Sequence, residues 1–215
     1  MSFRTSALGA LLLSALIIPA SAASLCFNPH QESDGRRKWA FELGVAFLTS
    51  NSIGELAGGN VNISDGPAGG EIYSLTAFRR LGQFELELWG RTYHPQLELP
   101  LTLEIVDENA RSPFWDLNAS VLIRWEEFPW NHIVKTTIAT GLGLSYSENV
   151  YLMDIERHPG SDRSHLLFNW PIQLTLALPS YPDHQLSLFV SHQSGGKIFS
   201  NGGVNSLGFG YRYDF

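Results

Sequence analysis

Trp115-Asp116-Leu117-Asn118-Ala119-Ser120-Val121-Leu122-Ile123-Arg124-Trp125 is the stretch from which the fold can be read. One parity is Trp115, Leu117, Ala119, Val121, Ile123 and Trp125; the other is Asp116, Asn118, Ser120, Leu122 and Arg124. A period of two belongs to a strand whose two faces meet different surroundings. At a rise of ~3.3 Å per residue and a tilt of ~40°, the steps between the two Trp residues cover about 25 Å, the height of a lipid-facing band. An indole closes each end of the apolar row, as in the aromatic girdles at the two interfaces of a membrane barrel.

The same alternation recurs along the chain. In Trp39 to Phe47 the odd positions are large and apolar and the even ones small or acidic. Val134, Ile138, Leu142, Leu144 and Tyr146 face outward against Lys135, Thr137, Ala139, Gly141, Gly143 and Ser145; Leu166 to Leu176 repeats the pattern, with Pro171 a blemish tolerable at a bulge. Segments near 70–80 and 84–94 read as strands, the second setting Phe84, Leu86 and Leu88 against Glu85, Glu87 and Arg91. Segments 185–194 and 203–215 complete a set of eight. The longer connections 49–69, 95–113, 147–163 and 195–202 alternate with the shorter 81–83, 126–131 and 177–184. Outer-membrane barrels show this asymmetry of external loops and periplasmic turns, and a soluble sandwich would not put Trp and Phe on its solvent face. The sequence therefore predicts an all-β chain, a transmembrane antiparallel up-and-down β-barrel of eight strands. Glu42, Glu85, Glu87, Arg91, Arg124 and Lys135 fall on the inward parity. An eight-stranded interior is just wide enough for side chains to fill, so these charges are read as packing and no open pore is expected.

Composition narrows the partners. The chain has 215 residues, is 44% hydrophobic and only 16% charged, and carries a formal net charge of -7. An acidic total without a Lys/Arg cluster argues against nucleic acid as a partner. The single Cys26 excludes an internal disulfide, and seven scattered His residues show no ligand spacing, so neither a metal nor a cofactor is expected. Residues 1–22 read as a cleaved signal peptide: Arg4, an apolar run from Ala7 to Ile18 too short to span a bilayer, then the small residues Ala20 and Ala22. Residues 23–215 form the barrel domain. Leu25 stands where a lipidated Cys would need a small residue before it, so Cys26 is read as a free thiol. Leu207, Phe209, Tyr211, Tyr213 and Phe215 resemble the C-terminal signal of outer-membrane barrels. That implies the bacterial outer membrane as location, its lipids as surroundings and the barrel-assembly machinery as a partner through the Phe215 strand.

One outward row ends unusually. Leu186, Leu188 and Val190 continue into His192 and then Ser194, two residues on and on the same face. Their Cβ atoms lie about 6 to 7 Å apart, so suitable rotamers bring hydroxyl and imidazole together as nucleophile and general base. With 195–202 as the loop, antiparallel pairing sets Ser194 opposite Gly203 and His192 opposite Asn205, whose amide is placed to orient the imidazole through its second nitrogen. The plain alternative is a set of polar residues where the barrel leaves the membrane, at a cost of only ~0 to 1 kcal/mol. The chain would then be a non-catalytic surface or adhesion barrel.

This hairpin resembles that of the PagL-type lipid A 3-O-deacylases, eight-stranded barrels that hydrolyse an ester-linked acyl chain of lipopolysaccharide with an outward Ser, His and acidic residue. The resemblance rests on His192-x-Ser194, a Gly-rich turn and Asn201-Gly202-Gly203-Val204-Asn205-Ser206, about the last 30 residues of the chain. It implies lipopolysaccharide as substrate, Ser194 as nucleophile and His192 as base. Two positions depart from the family pattern: Asn205 stands where a Glu is typical, and Gly195 where an Asn implicated in oxyanion stabilisation follows the Ser. Backbone N–H groups of Gly195 or Gly196 are the candidate replacements for that donor. Arg111, Arg157, Arg163 and Lys197 fall in external loops, accompanied by Asp107, Glu108, Asp154, Glu156 and Asp162, which reads as a solvated mixture or as partners for lipopolysaccharide phosphates.

Overall fold

Inside hydrocarbon no water satisfies a backbone N–H or C=O, so a spanning strand needs a neighbour along both edges, and only a closed sheet provides one for every strand. A computed structural model of the chain describes residues 38–215 together with the backbone of Leu25–Asn28. The signal peptide expected over 1–22 lies outside these residues. The elements are β1 (Leu25–Asn28), β2 (Trp39–Thr49), α1 (Ile53–Ala57), β3 (Gly70–Leu88), β4 (Arg91–Tyr93), β5 (Gln96–Glu108), β6 (Phe114–Trp125), β7 (Lys135–Ser147), α2 (Leu152–Arg157), β8 (Leu166–Ala177), β9 (His184–Ser194) and β10 (Gly203–Asp214). Eight of them, β2, β3 and β5 to β10, pair antiparallel in chain order, and β10 pairs back onto β2 over Asn205↔Thr49 to Asp214↔Ala40. The barrel is closed.

Register fixes its tilt. The row of facing residues starting at Asn205 on β10 passes through His192, Trp170, Leu142, Val121, Leu99, Arg79 and Trp39, with Trp170 and Leu142, and Val121 and Leu99, facing each other across gaps in ladders that keep the same register on both sides. It returns to β10 at Phe215, where Trp39 and Phe215 exchange backbone hydrogen bonds. The row thus drops ten residues (215 − 205) in one circuit. With eight strands this offset tilts the strands about 40 to 45° from the barrel axis.

The strand alternation holds, with one segment misplaced. Residues 84–94 are not a barrel strand, and 95–113 is not a loop. β3 runs on through Leu81-Gly82-Gln83, with a register shift between Arg80 and Gly82 where a turn was expected. Its end pairs with β1 and β4 as a short hairpin projecting past the barrel on the side of the termini. The third barrel strand is β5, which contains Pro100; its ladder with β6 is interrupted between Glu98 and Leu101, where the missing N–H costs no bond. Glu85, Glu87 and Arg91 consequently sit exposed on the projecting hairpin and do not line the interior. Pro171 is accommodated in the same way, in a gap of the β7–β8 ladder.

The interior is filled by two polar clusters. On the side of the termini Glu98, wholly buried, accepts from Arg124 Nε and Arg212 Nη2, both at 2.9 Å, and from Arg80 Nε at 3.3 Å. Arg212 and Arg80 also bind Asp214, and Arg124 reaches Gln173, whose amide donates to Glu42. At the opposite mouth Asp116 accepts from Ser145, Tyr151 and Gln193. Tyr151 and Met153, from the connection that carries α2, pack there with Leu48, Val106, Phe114 and Val204. Burial, reinforced by the Asp116 charge, pushes the Tyr151 phenol well above its usual range and keeps it a donor. Between the clusters remains a cavity of about 60 Å³. Removing one member of a buried charge cluster leaves the others uncompensated. Glu98→Gln should therefore lower barrel stability by about 3 to 5 kcal/mol, whereas Glu85→Gln on the projecting hairpin should change it by about 0.5 kcal/mol or less, both read from urea unfolding in detergent micelles.

Candidate functional site

Outward positions carry the large apolar and aromatic side chains of every barrel strand: Leu43, Leu75, Leu103, Leu117, Leu142, Trp170, Leu188 and Phe209 are all exposed. Trp115 and Tyr146 ring one end of this belt, and Trp39, Tyr213 and Phe215 the other. The molecule is a membrane β-barrel of the outer-membrane type.

At the loop end, β8, β9 and β10 bring the expected residues into one place. Ser194 pairs with Gly203 and Phe168, and His192 with Asn205 and Trp170, the register anticipated from the length of the hairpin. His192 Nδ1 lies 2.5 Å from Asn205 Oδ1. The Trp170 indole stands edge-on to the imidazole, centroids 6.2 Å apart, with its Nε1 donating to Thr140 Oγ1 at 2.9 Å. Ser194 is half-buried, and among the described residues its hydroxyl makes no hydrogen bond, to His192 or to any other side chain.

The identity of residue 205 follows from its two neighbours. Its other amide atom, Nδ2, donates to the backbone carbonyl of Asn51 at 2.7 Å. A carbonyl only accepts, so the atom facing it must be the NH2 group, which leaves Oδ1 facing the imidazole. Oδ1 likewise only accepts, so neutral His192 carries its proton on Nδ1 and presents an unprotonated Nε2, the form a general base requires. A carboxylate could serve the imidazole but would set an oxygen against the Asn51 carbonyl; an amide serves both. The Asn51 carbonyl is itself held: Asn51 Oδ1 accepts from Thr49 Oγ1 (2.9 Å) and Asn62 N (2.5 Å), and Asn51 N donates to Thr49 Oγ1 at 3.0 Å. Asn205 is 3% exposed, covered by this segment of the 50–69 loop.

The turn after Ser194 revises the oxyanion expectation. Gly195 donates its N–H to Gly202 O at 3.0 Å, closing the hairpin, so this N–H is already engaged. Gly196 adopts φ +59° over the Phe168 ring, where a Cβ would lie 2.9 Å from ring carbons. The space that a side chain at 195 would occupy holds Ser200, whose Oγ lies 2.1 Å from the position of such a Cβ. That hydroxyl is buried and without a hydrogen-bond partner among the described residues. Asp154 secures the other side of the turn: its Oδ1 accepts from Gly203 N at 2.7 Å and lies 3.0 Å from His158 Nδ1. Asp154 is therefore a buried structural anchor and not a solvated loop charge. Arg111 is tied to Glu108 and the Val150 carbonyl, and Arg163 to the His158 carbonyl, while Lys197 is exposed.

Asn51, Ser200, Trp170 and Asp154 carry no motif that marks them. Contacts 154 residues apart, as between Asn51 and Asn205, leave no trace in local sequence.

Among solved structures the chain is similar to the crystal structure of the outer membrane enzyme PagL, with a TM-score of 0.54 and 13% identity over 81% of this chain and 99% of that one. It is also similar to Neisserial surface protein A (TM-score 0.45, 14% identity, 85% and 100% covered) and to the outer membrane protein OprG from Pseudomonas aeruginosa (TM-score 0.37, 10% identity, 84% and 98% covered). No protein-family model and no curated protein matches the sequence. The likeness to PagL at this identity establishes the shared barrel fold.

The tautomer is directly measurable. In barrel labelled with 15N-histidine and held at alkaline pH in micelles, His192 should be protonated at Nδ1, and Asn205→Leu should abolish that bias. Protonation at Nε2 in the wild type would contradict the assignment of the amide.

Proposed function

We propose that the barrel hydrolyses an ester-linked acyl chain of lipopolysaccharide on its lipid-facing surface. The observation that carries this reading is the His192–Asn205–Asn51 chain of hydrogen bonds, which leaves Nε2 of neutral His192 unprotonated, two residues from Ser194 on the same outward row at the loop end of β9. An outer-membrane barrel with its termini in the periplasm places this end of β9 in the outer leaflet, where lipopolysaccharide lies.

In this mechanism Ser194 Oγ attacks the acyl carbonyl carbon while His192 Nε2 takes its proton. The tetrahedral oxyanion collapses, the C–O bond to the sugar breaks, and His192 returns the proton to the departing hydroxyl. Water then attacks the acyl-Ser194 ester, giving its proton to His192, and free fatty acid leaves as Ser194 is restored. With the Gly195 N–H held by Gly202, the Gly196 N–H is the donor proposed to meet the oxyanion. Asn205 holds the tautomer but supplies no negative charge to the imidazolium, so turnover is expected to be slow. No metal or cofactor takes part in these steps.

Mass spectrometry of lipid A from cells expressing the wild type should show loss of one acyl chain, and Ser194→Ala should show none. Unchanged lipid A beside correctly inserted wild-type barrel would refute the hydrolase in favour of a surface barrel without chemistry.

A further inference from the structure

An acyl chain bound in a leaflet runs along the membrane normal, whereas the strands of this barrel do not. The ten-residue offset of the paired rows means that they descend in the direction β9 to β8 to β7. The barrel axis, dropped from Ser194, therefore leaves β9 and crosses β8, β7 and β6 in turn. On this surface Trp170 lies roughly 8 Å beneath Ser194, Leu142 roughly 11 Å, Thr140 roughly 16 Å and Ile123 roughly 19 Å, each within about 3 Å of the vertical line. Val190, two rows down β9 itself, is displaced sideways by roughly 9 Å, and Leu207 on β10 by roughly 12 Å.

The geometry points to Trp170, Thr140, Leu142 and Ile123 as the track along which the acyl chain of the ester at Ser194 lies, with Leu142 determining the chain length accepted. This rests on the hydrolase reading above and extends it to substrate selection. Three observations support the track. Trp170 is clamped: its Nε1 donates to Thr140 Oγ1, and Thr140 in turn donates to the Pro171 carbonyl at 3.1 Å. That carbonyl is exposed to the interaction by the gap which Pro171 leaves in the β7–β8 ladder. The clamped indole meets His192 edge-on, so the start of the track and the base are one packed unit. Below it the wall steps down to the short Thr140 side chain while Leu142, 67% exposed, stands out beside the line.

A competing hollow exists on the outer wall, lined by Leu43, Val45, Tyr73, Leu75, Phe209 and Tyr211. It runs from Leu186 on β9 across β10, β2 and β3 to Leu103 and Ile105 on β5, and even Leu186, its only β9 residue, is displaced sideways from the vertical line by roughly 18 Å, so an acyl chain would have to bend away from that line to reach it. Since lipid tails are as apolar as the wall, contact alone gains little, and the track acts by shape, keeping the ester aligned when the chain hangs straight.

The test compares butanoyl and tetradecanoyl esters with the folded wild type, Leu142→Trp and Leu207→Trp in micelles, with Ser194→Ala as the blank. Leu142→Trp should lower kcat for the tetradecanoyl ester by roughly tenfold, leaving the butanoyl ester, which ends above it, unchanged, and Leu207→Trp should alter neither. Loss of long-chain turnover in Leu207→Trp and not in Leu142→Trp would overturn the track while leaving the hydrolase intact. No Ser194-dependent hydrolysis of either ester by the wild type would overturn both.

Discussion

Closure of β10 onto β2 is the constraint from which the rest of the molecule follows. Lipid offers the backbone no partner, so the first and last barrel strands must satisfy one another, and they do so along ten consecutive residue pairs. The offset at which they meet sets the tilt of all eight strands. Parity then decides what each side chain touches. Glu98, Arg124 and Arg212 are forced inward, where they are tolerable only as a mutually hydrogen-bonded, paired cluster, and Leu and aromatic rings are forced outward.

The same closure builds the site. Asn205 lies on β10 opposite Thr49 of β2, and the chain just beyond Thr49 turns to place the Asn51 carbonyl on its amide. A loop at the start of the barrel thus orients a side chain near its end, and through it the imidazole of His192. An Asn at this position is a chemical consequence of its neighbours: it must donate on one side and accept on the other. The hairpin 195–202 is anchored independently, by Gly195 to Gly202 and by Asp154 to Gly203, so Ser194 sits on a rigid corner rather than a free loop.

Much of this was legible in the sequence where local rules dominate. Alternation over Trp115–Trp125 marks β6, and taking 195–202 as the loop sets His192 opposite Asn205 and Ser194 opposite Gly203. Local rules misled at 81–113. Leu81-Gly82-Gln83 has the composition of a turn, and two prolines, Pro95 and Pro100, argue against the strand that β5 forms. The ladder absorbs Gly82 as an irregularity and Pro100 at a gap, which only the neighbouring strands can decide. The support of the site lay beyond reach for a different reason: Asn51, Ser200 and Asp154 act through contacts created by closure and by the folding of external loops over the mouth.

Reaction of the folded barrel with an alkyl fluorophosphonate, followed by intact-mass and peptide analysis, tests the central claim most directly, because such reagents modify a serine only when an adjacent base activates it. One adduct on Ser194, absent when His192→Gln removes the base, is the expected result. A folded barrel that remains unlabelled, or is labelled at Ser194 equally well without His192, would contradict it.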